Sequence, residues 1–127
     1  MGLFGRKKNF EEIDIHQAKE LLDHSFRQVT FADVRKPEAF KEGHIVDAVL
    51  VTEKNMNEFL EKTDKAKPLI CYCYRGISSQ RASRHFKDQG FSKVYSLKGG
   101  FEEWKKVYPF VREEGRRKKD EINPRPL

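Results

Sequence analysis

A cysteine stands where a buried strand is predicted to end and a short loop begins. The apolar run of residues 68–73 predicts that strand, and Ser78 and Ser79 open a segment with helical spacing. Cys73 therefore precedes a helix N-terminus, whose first N–H groups have no partner within the helix. Such amides stabilise a thiolate and an anion bound beside it. Cys73 is thus a candidate nucleophile with a pKa below the ordinary value of about 8.5, and a buried core cysteine is the alternative.

The second cysteine, Cys71, lies two residues earlier, inside the predicted strand. A central parallel sheet would bury it, so we expect it to serve packing alone. A disulfide between cysteines separated by one residue is strained, and no paired Cys/His spacing indicates zinc. Two free cysteines favour a reducing, cytoplasmic setting and exclude a disulfide framework.

The 127-residue chain is of a length typical of one domain, and its net charge of +6 is concentrated at the two ends. Residues 1–8 have a net charge of +3 and residues 112–127 one of +2, which leaves +1 between them. Without interleaved aromatic residues this pattern does not favour nucleic-acid binding. We also expect no signal peptide and no membrane span, since no stretch approaches about 18 apolar residues.

Strand and helix patterns alternate along the chain. Strands are predicted at residues 10–13, 29–34, 48–51, 68–73 and 94–97, and helices at 14–23, 37–41, 56–60, 78–89 and 101–106. Asp14 and Gln17 predict a capping box at the first helix. The alternation predicts one α/β domain, with a central, mostly parallel sheet flanked by helices on both faces. We place this domain at residues 10–109, between a basic tail (1–9) and a charged, extended or disordered tail (110–127).

The end of the predicted strand before Cys73 is also where such sheets place their ligands, because open parallel sheets bind at the carboxyl ends of strands. Asp33 ends a neighbouring predicted strand, so Asp33 and Arg35 should lie on the same rim as Cys73. We expect these two residues to support the rim, and a direct part in the chemistry is the alternative.

Three segments resemble the signatures of rhodanese domains. Residues 33–45 (DVRKPEAFKEGHI) resemble the first signature, residues 73–78 (CYRGIS) the six-residue active-site loop, and residues 99–104 (GGFEEW) the closing signature. The loop is most similar to that of bacterial single-domain thiosulfate sulfurtransferases. The sequence departs from the family pattern at Val46 and Asp47, where Pro-Gly is usual, and this difference affects a turn.

The resemblance implies a single rhodanese-like domain with sulfurtransferase activity and no metal or organic cofactor. Cys73 would attack the outer sulfur of thiosulfate, release sulfite and hold a persulfide. A thiophile would then remove the sulfur, either cyanide in an assay or a thiol such as thioredoxin or glutathione in a cell. A persulfide carrier for a protein partner, with incidental thiosulfate turnover, is the alternative.

The loop that follows Cys73 would supply the substrate-binding groups: Tyr74, Arg75, Gly76, Ile77, Ser78 and Ser79. Its amides would bind the negatively charged outer sulfur. Arg75 is expected to attract the thiosulfate dianion, with a solvated side chain as the alternative. Gly76 is expected to supply a positive φ or a close backbone approach. Ser78 would either donate to the persulfide or act as the helix N-cap.

A phosphatase or arsenate reductase on the same fold is the rival enzyme. Its loop is one residue longer and ends in an arginine that clamps the oxyanion. Ser79 occupies that position here, and Arg81 comes two residues later, on the predicted helix. The shorter loop favours sulfur chemistry.

Overall fold

The computed structural model describes residues 8–24 and 28–113 of the chain. Strands and helices alternate throughout these ranges: β1 (Glu11–Ile13), α1 (Ile15–His24), β2 (Thr30–Asp33), α2 (Pro37–Glu42), β3 (Val49–Leu50), α3 (Met56–Lys62), β4 (Leu69–Tyr72), α4 (Ser78–Asp88), β5 (Val94–Leu97) and α5 (Gly100–Val107). The strands form one parallel sheet in the order β1-β5-β4-β2-β3, with β4 at its centre. The predicted α/β fold with a parallel sheet is confirmed.

Each face of the sheet has its own apolar core, because successive side chains of a strand point to opposite faces. In β4, Ile70 and Tyr72 belong to the core that includes residues of α1 and α5. Leu69 and Cys71 belong to the core that includes residues of α3 and α4. Helices therefore cover both faces, as predicted.

Most element boundaries lie within one or two residues of the prediction. The capping box at α1 is present: the Gln17 amide donates to Asp14 Oδ1 (2.8 Å), and the Asp14 amide donates to Gln17 Oε1 (2.9 Å). The strand predicted at residues 48–51 is reduced to β3, which lies at the edge of the sheet and pairs only with β2 among the described strands.

The chain beyond α5 packs against the domain. Val111 and His44 exchange two backbone hydrogen bonds of 2.8 and 2.9 Å, and the ring of Phe110 lies edge-on to Phe101 at 5.3 Å. Contacts thus continue beyond residue 109, in extended backbone. The rest of the two predicted tails, residues 1–7 and 114–127, lies outside the described residues. No helix within the described ranges is long and apolar enough to cross a membrane.

The turn that departs from the family pattern contains a left-handed residue. The Ala48 amide donates to the Ile45 carbonyl at 3.0 Å, and Asp47 within this turn has a φ of +64°. This conformation costs an L-residue about 1–2 kcal/mol, and aspartate somewhat less. A glycine, usual here in the family, adopts it without steric strain.

We therefore expect Asp47→Gly to raise the free energy of unfolding by about 0.5–1 kcal/mol, since relief of strain exceeds the entropy gained by the unfolded chain. Urea denaturation of the full chain measures this. Asp47→Ala serves as the control and should be no more stable than the wild type, because alanine has a Cβ and lacks the local hydrogen bonding of aspartate. An Asp47→Gly variant less stable than the wild type would show that the backbone at Asp47 is not strained.

Candidate active site

Cys73 lies directly after the central strand of the sheet, at its carboxyl end. In the neighbouring strand β2, Asp33 pairs with Tyr72, and the Val34 amide donates to the Tyr72 carbonyl at 3.0 Å. The ends of β2 and β4 are therefore adjacent. The structure brings Asp33 and Cys73 to one rim of the sheet.

The Cys73 sulfur is nearly enclosed by the loop that follows it. The residue is 5% exposed, and its Sγ accepts hydrogen bonds from the amides of Gly76 (3.2 Å) and Ser79 (3.3 Å). Helix α4 begins at Ser78, and Ile77 occupies the N-cap position without a side-chain cap. The alternative in which Ser78 is the N-cap is therefore wrong: the tight loop places this position one residue earlier.

The two cysteines ionise differently because their surroundings differ. Burial raises the pKa of Cys73, but the hydroxyls of Ser79 and Ser78 and the amides of Ser79 and Gly76 outweigh it, so that the net pKa is lowered. Burial raises the pKa of Cys71 far above the ordinary range. Of the two thiols, Cys73 is the one whose thiolate is stabilised.

Further loop amides remain without acceptors. Sγ binds only two of the N–H groups, and those of Arg75, Ile77 and Ser78 donate to no acceptor among residues 8–24 and 28–113. These donors belong to the same short loop and helix start as the amides that bind Sγ. The loop can therefore offer hydrogen bonds to an anion beyond the sulfur itself.

Helix α5 holds the opposite side of the loop. The amides of Phe101 and Glu102 donate to the carbonyls of Cys73 (2.9 Å) and Tyr74 (2.8 Å). These N–H groups lie in the first turn of α5, where no carbonyl of the helix can accept them. The first carbonyls of the loop are thus committed to α5, and the loop presents amides to the sulfur.

Two glycines allow the backbone of the loop to approach the backbone of α5 and of the β5–α5 connection closely. Gly100 has a φ of +59°, and a Cβ there would lie 2.6 Å from the Cys73 carbonyl oxygen and would also overlap that of Tyr74. Gly76 has a φ of +90°, and a Cβ there would lie 2.9 Å from the Leu97 carbonyl oxygen and from the Gly99 nitrogen. Gly76 thus has the expected positive φ, and the surface it approaches is backbone of the β5–α5 connection.

A buried hydroxyl pair lies behind the sulfur. Ser79 Oγ and Ser96 Oγ are 2.9 Å apart, and both residues are at most 1% exposed. A thiolate only accepts hydrogen bonds, so a Ser79 hydroxyl that donates to Cys73 must itself accept from Ser96. Sequence reasoning missed Ser96, although a polar residue at an inward position of the apolar strand β5 was a usable signal.

Asp33 and Arg35 form a buried ion pair on the rim. Arg35 donates to both Asp33 oxygens, at 2.9 and 2.6 Å, and to the Gly43 carbonyl at 2.6 Å. The Arg35 guanidinium also lies 4.5 Å from the centre of the Phe101 ring. These contacts tie the β2–α2 turn to the end of α2 and to α5. A role of Asp33 and Arg35 as a support for the rim stays a prediction.

The outer side of the loop is exposed. The Arg75 side chain is 69% exposed, with Nε 3.4 Å from Glu102 Oε1. Ile77 is 73% exposed, and Lys105 lies 5.2 Å from the centre of the Tyr74 ring. The structure therefore places Arg75 on the exposed side of the loop, next to a carboxylate, and Ile77 towards solvent.

Residues 14–107 match the family model described as the rhodanese-like domain. The chain belongs to this family. The resemblance seen in the three sequence signatures is thereby confirmed, and the matched range includes the residues from Cys73 to Ser78.

Named relatives agree with the assignment. The chain is 43% identical over 100 residues to the thiosulfate sulfurtransferase GlpE of Coxiella burnetii, covering 79% of this chain and 92% of the relative. It is 41% identical to GlpE of Pseudomonas aeruginosa, covering 79% and 88%. Among solved structures, the Alr3790 protein of Anabaena matches with a TM-score of 0.72 at 24% identity over 80% of each chain. Family and relatives identify the chain as a sulfurtransferase.

The lowered pKa of Cys73 gives a pH prediction. Thiolate forms above the pKa, so the rate of alkylation by iodoacetamide should reach half its maximum below the pH of about 8.5 expected of a free cysteine. In Ser96→Ala, Ser79 loses the donor that orders its hydroxyl, and the midpoint should rise. The ultraviolet absorbance of the thiolate measures the same midpoint directly.

Ser83→Ala is the matched control. Its hydroxyl is equally buried on α4, but it donates to the Ser79 carbonyl at 2.7 Å. We expect this variant to lose stability without a comparable rise of the midpoint. Equal midpoints for wild type and Ser96→Ala would show that the hydroxyl pair does not act on the thiolate.

Proposed function

We propose that this chain transfers the sulfane sulfur of thiosulfate to a thiol acceptor through a persulfide on Cys73. The observation that carries the proposal is the Cys73 sulfur itself, nearly enclosed, with a lowered pKa and two amide donors. The names of the GlpE relatives support thiosulfate as the donor.

In the first half-reaction the Cys73 thiolate attacks the outer sulfur of thiosulfate. The bond between the two thiosulfate sulfurs breaks, and sulfite leaves with its electron pair. The outer sulfur of the new persulfide is negatively charged, and the unpartnered amides of Arg75, Ile77 and Ser78 are the donors we assign to it. Tyr74, Gly76 and Ser79 complete the substrate-binding loop.

In the second half-reaction a thiophile takes the outer sulfur and returns the Cys73 thiolate. Cyanide would do so in an assay, and a thiol such as thioredoxin or glutathione in a cell. Cys71 and Cys73 are both free thiols in the structure. A reducing compartment preserves them, so the proposal places the enzyme in the cytoplasm.

The features around the loop argue against oxyanion hydrolysis as the rival chemistry. The phosphatase loop needs an arginine where this chain has Ser79, which is fully buried. Arg81 lies on α4 with an exposed side chain. The enclosure is therefore built around one sulfur atom rather than around a clamped phosphate.

Mass spectrometry of the intact protein tests the persulfide. After incubation with thiosulfate we expect a gain of one sulfur atom that peptide mapping locates on Cys73 and that cyanide removes. Cys73→Ala should gain no sulfur and show no turnover, because the nucleophile is absent. Cys71→Ala is the matched control: it should keep most activity and lose stability, since it leaves a small cavity in the core.

The outcome also separates the alternatives. No adduct on a folded, reduced protein would reject thiosulfate as the donor. An adduct that forms but is never discharged by small thiols would favour the carrier function. Loss of activity in Cys71→Ala with retention in Cys73→Ala would overturn the choice of nucleophile.

Substitutions of Arg75 and of Glu102 should change KM for thiosulfate in opposite directions. If Arg75 attracts the dianion, Arg75→Ala should raise KM for thiosulfate by about two- to fivefold with a smaller fall in kcat, as for an exposed charge. Glu102→Gln should lower KM, because it frees the guanidinium that the carboxylate now engages at 3.4 Å. Steady-state kinetics of thiocyanate formation from thiosulfate and cyanide measure KM and kcat for each variant.

Arg81→Ala, an exposed arginine of α4 outside the loop, is the control and should leave KM unchanged. An unchanged KM in Arg75→Ala would show that this side chain is solvated and does not attract thiosulfate.

A further inference from the structure

A groove of about 750 Å³ runs beside the catalytic loop. It is lined by the β2–α2 turn, with residues 34–37, by the β3–α3 turn, with residues 51–54, and by Ser78. Ser78 is followed by Ser79, whose amide donates to Cys73 Sγ at 3.3 Å. The lining of the groove therefore includes the residue next to an amide that binds the sulfur.

The lining of this groove combines an apolar surface with positive charge. Val34, Pro37 and Val51 supply the apolar part, and Lys36 and Lys54 are exposed cations on the two opposite turns. Neither lysine has a carboxylate within 4.0 Å among residues 8–24 and 28–113.

Two further charges line the groove. Arg35 is already neutralised by its buried ion pair with Asp33. Glu53 contributes one negative charge beside Lys54. The groove thus retains a net positive charge from its two lysines.

We propose that this groove binds the sulfur acceptor and selects aliphatic thiols that carry a carboxylate. The chain of such a thiol lies on Val34, Pro37 and Val51, its carboxylate reaches Lys36 and Lys54, and its sulfur lies beside Ser78. The inference rests on the proposed function, since it requires that a thiol takes the sulfur from Cys73.

The transfer step balances without any other reactant. The acceptor thiolate attacks the outer sulfur of the Cys73 persulfide, and a new sulfur–sulfur bond forms. The bond between Sγ and the outer sulfur breaks, and its electron pair returns to Cys73 as the thiolate. The acceptor leaves as a persulfide.

A second cavity, of about 460 Å³, is also lined by cations, among them Lys105 and Arg112. It meets the loop at Tyr74 and includes Phe101. The carbonyl of Tyr74 is bound by α5, whereas the amide of Ser79, next to Ser78, donates to the sulfur. The groove at Ser78 is therefore the better approach to the sulfur, and Lys105 provides a matched control.

The experiment uses the full-length chain converted to its persulfide with thiosulfate and then freed of donor. Persulfide discharge is followed after mixing with mercaptohexanoate or with mercaptohexanol, at equal thiolate concentration. We expect mercaptohexanoate to discharge the wild-type persulfide about three- to tenfold faster than mercaptohexanol does. This is the size of effect that two exposed charges provide. Added salt should reduce this preference.

The double variant Lys36→Ala Lys54→Ala should react equally with both thiols, with the mercaptohexanol rate unchanged. Lys105→Ala should keep the wild-type preference. No preference in the wild type, or one that persists in the double variant, would overturn the proposal. Loss of the preference in Lys105→Ala alone would place the acceptor in the second cavity.

A binding measurement separates failure of this inference from failure of the proposed function. If no persulfide forms, hexanoate, which lacks a thiol, is titrated into the protein and amide chemical shifts are followed by NMR. Shifts at residues 51–54 with hexanoate but not hexanol, lost in the double variant, would support the groove on its own. Absence of these shifts would overturn it whatever the enzyme's donor is.

Discussion

The first amides of α5 decide which way the catalytic loop faces. A helix N-terminus has N–H groups without internal partners, and here those of Phe101 and Glu102 are satisfied by the carbonyls of Cys73 and Tyr74. The loop's amides are left to face the sulfur, where α4 contributes its own N-terminal amide from Ser79. One short loop thus satisfies two helix ends from opposite sides, and Gly100 makes the approach sterically feasible.

Ionisation follows from position relative to the end of the sheet. Cys71 is inside β4, where neighbouring strands use the backbone amides, and burial is the largest effect on its thiol. Cys73 lies two residues on, where the ladder has ended and amides are no longer committed to it. The same residue type is therefore kept neutral in one place and favoured as an anion in the other.

Local signals were sufficient for much of the fold and for the position of Cys73 at the end of the central strand. The apolar run of β4, the helical spacing of α4 and the intervening loop lie next to one another in the chain, so their sequence alone placed Cys73. The contacts of Ser96 and Glu102 with the site depend on how β5 and α5 pack, which local pattern does not report. The alternative with Ser78 as the N-cap was wrong because a serine is a strong capping residue and the loop's backbone was not foreseen.

The dependence of the loop on α5 also has a consequence for biosynthesis. The ribosome synthesises the chain from its N-terminus. Cys73 therefore leaves the ribosome before Gly100 and the rest of α5. Until α5 has been made, the amides of Phe101 and Glu102 that bind the carbonyls of Cys73 and Tyr74 are absent. The backbone contacts that hold the loop are therefore completed only late in the synthesis of the domain.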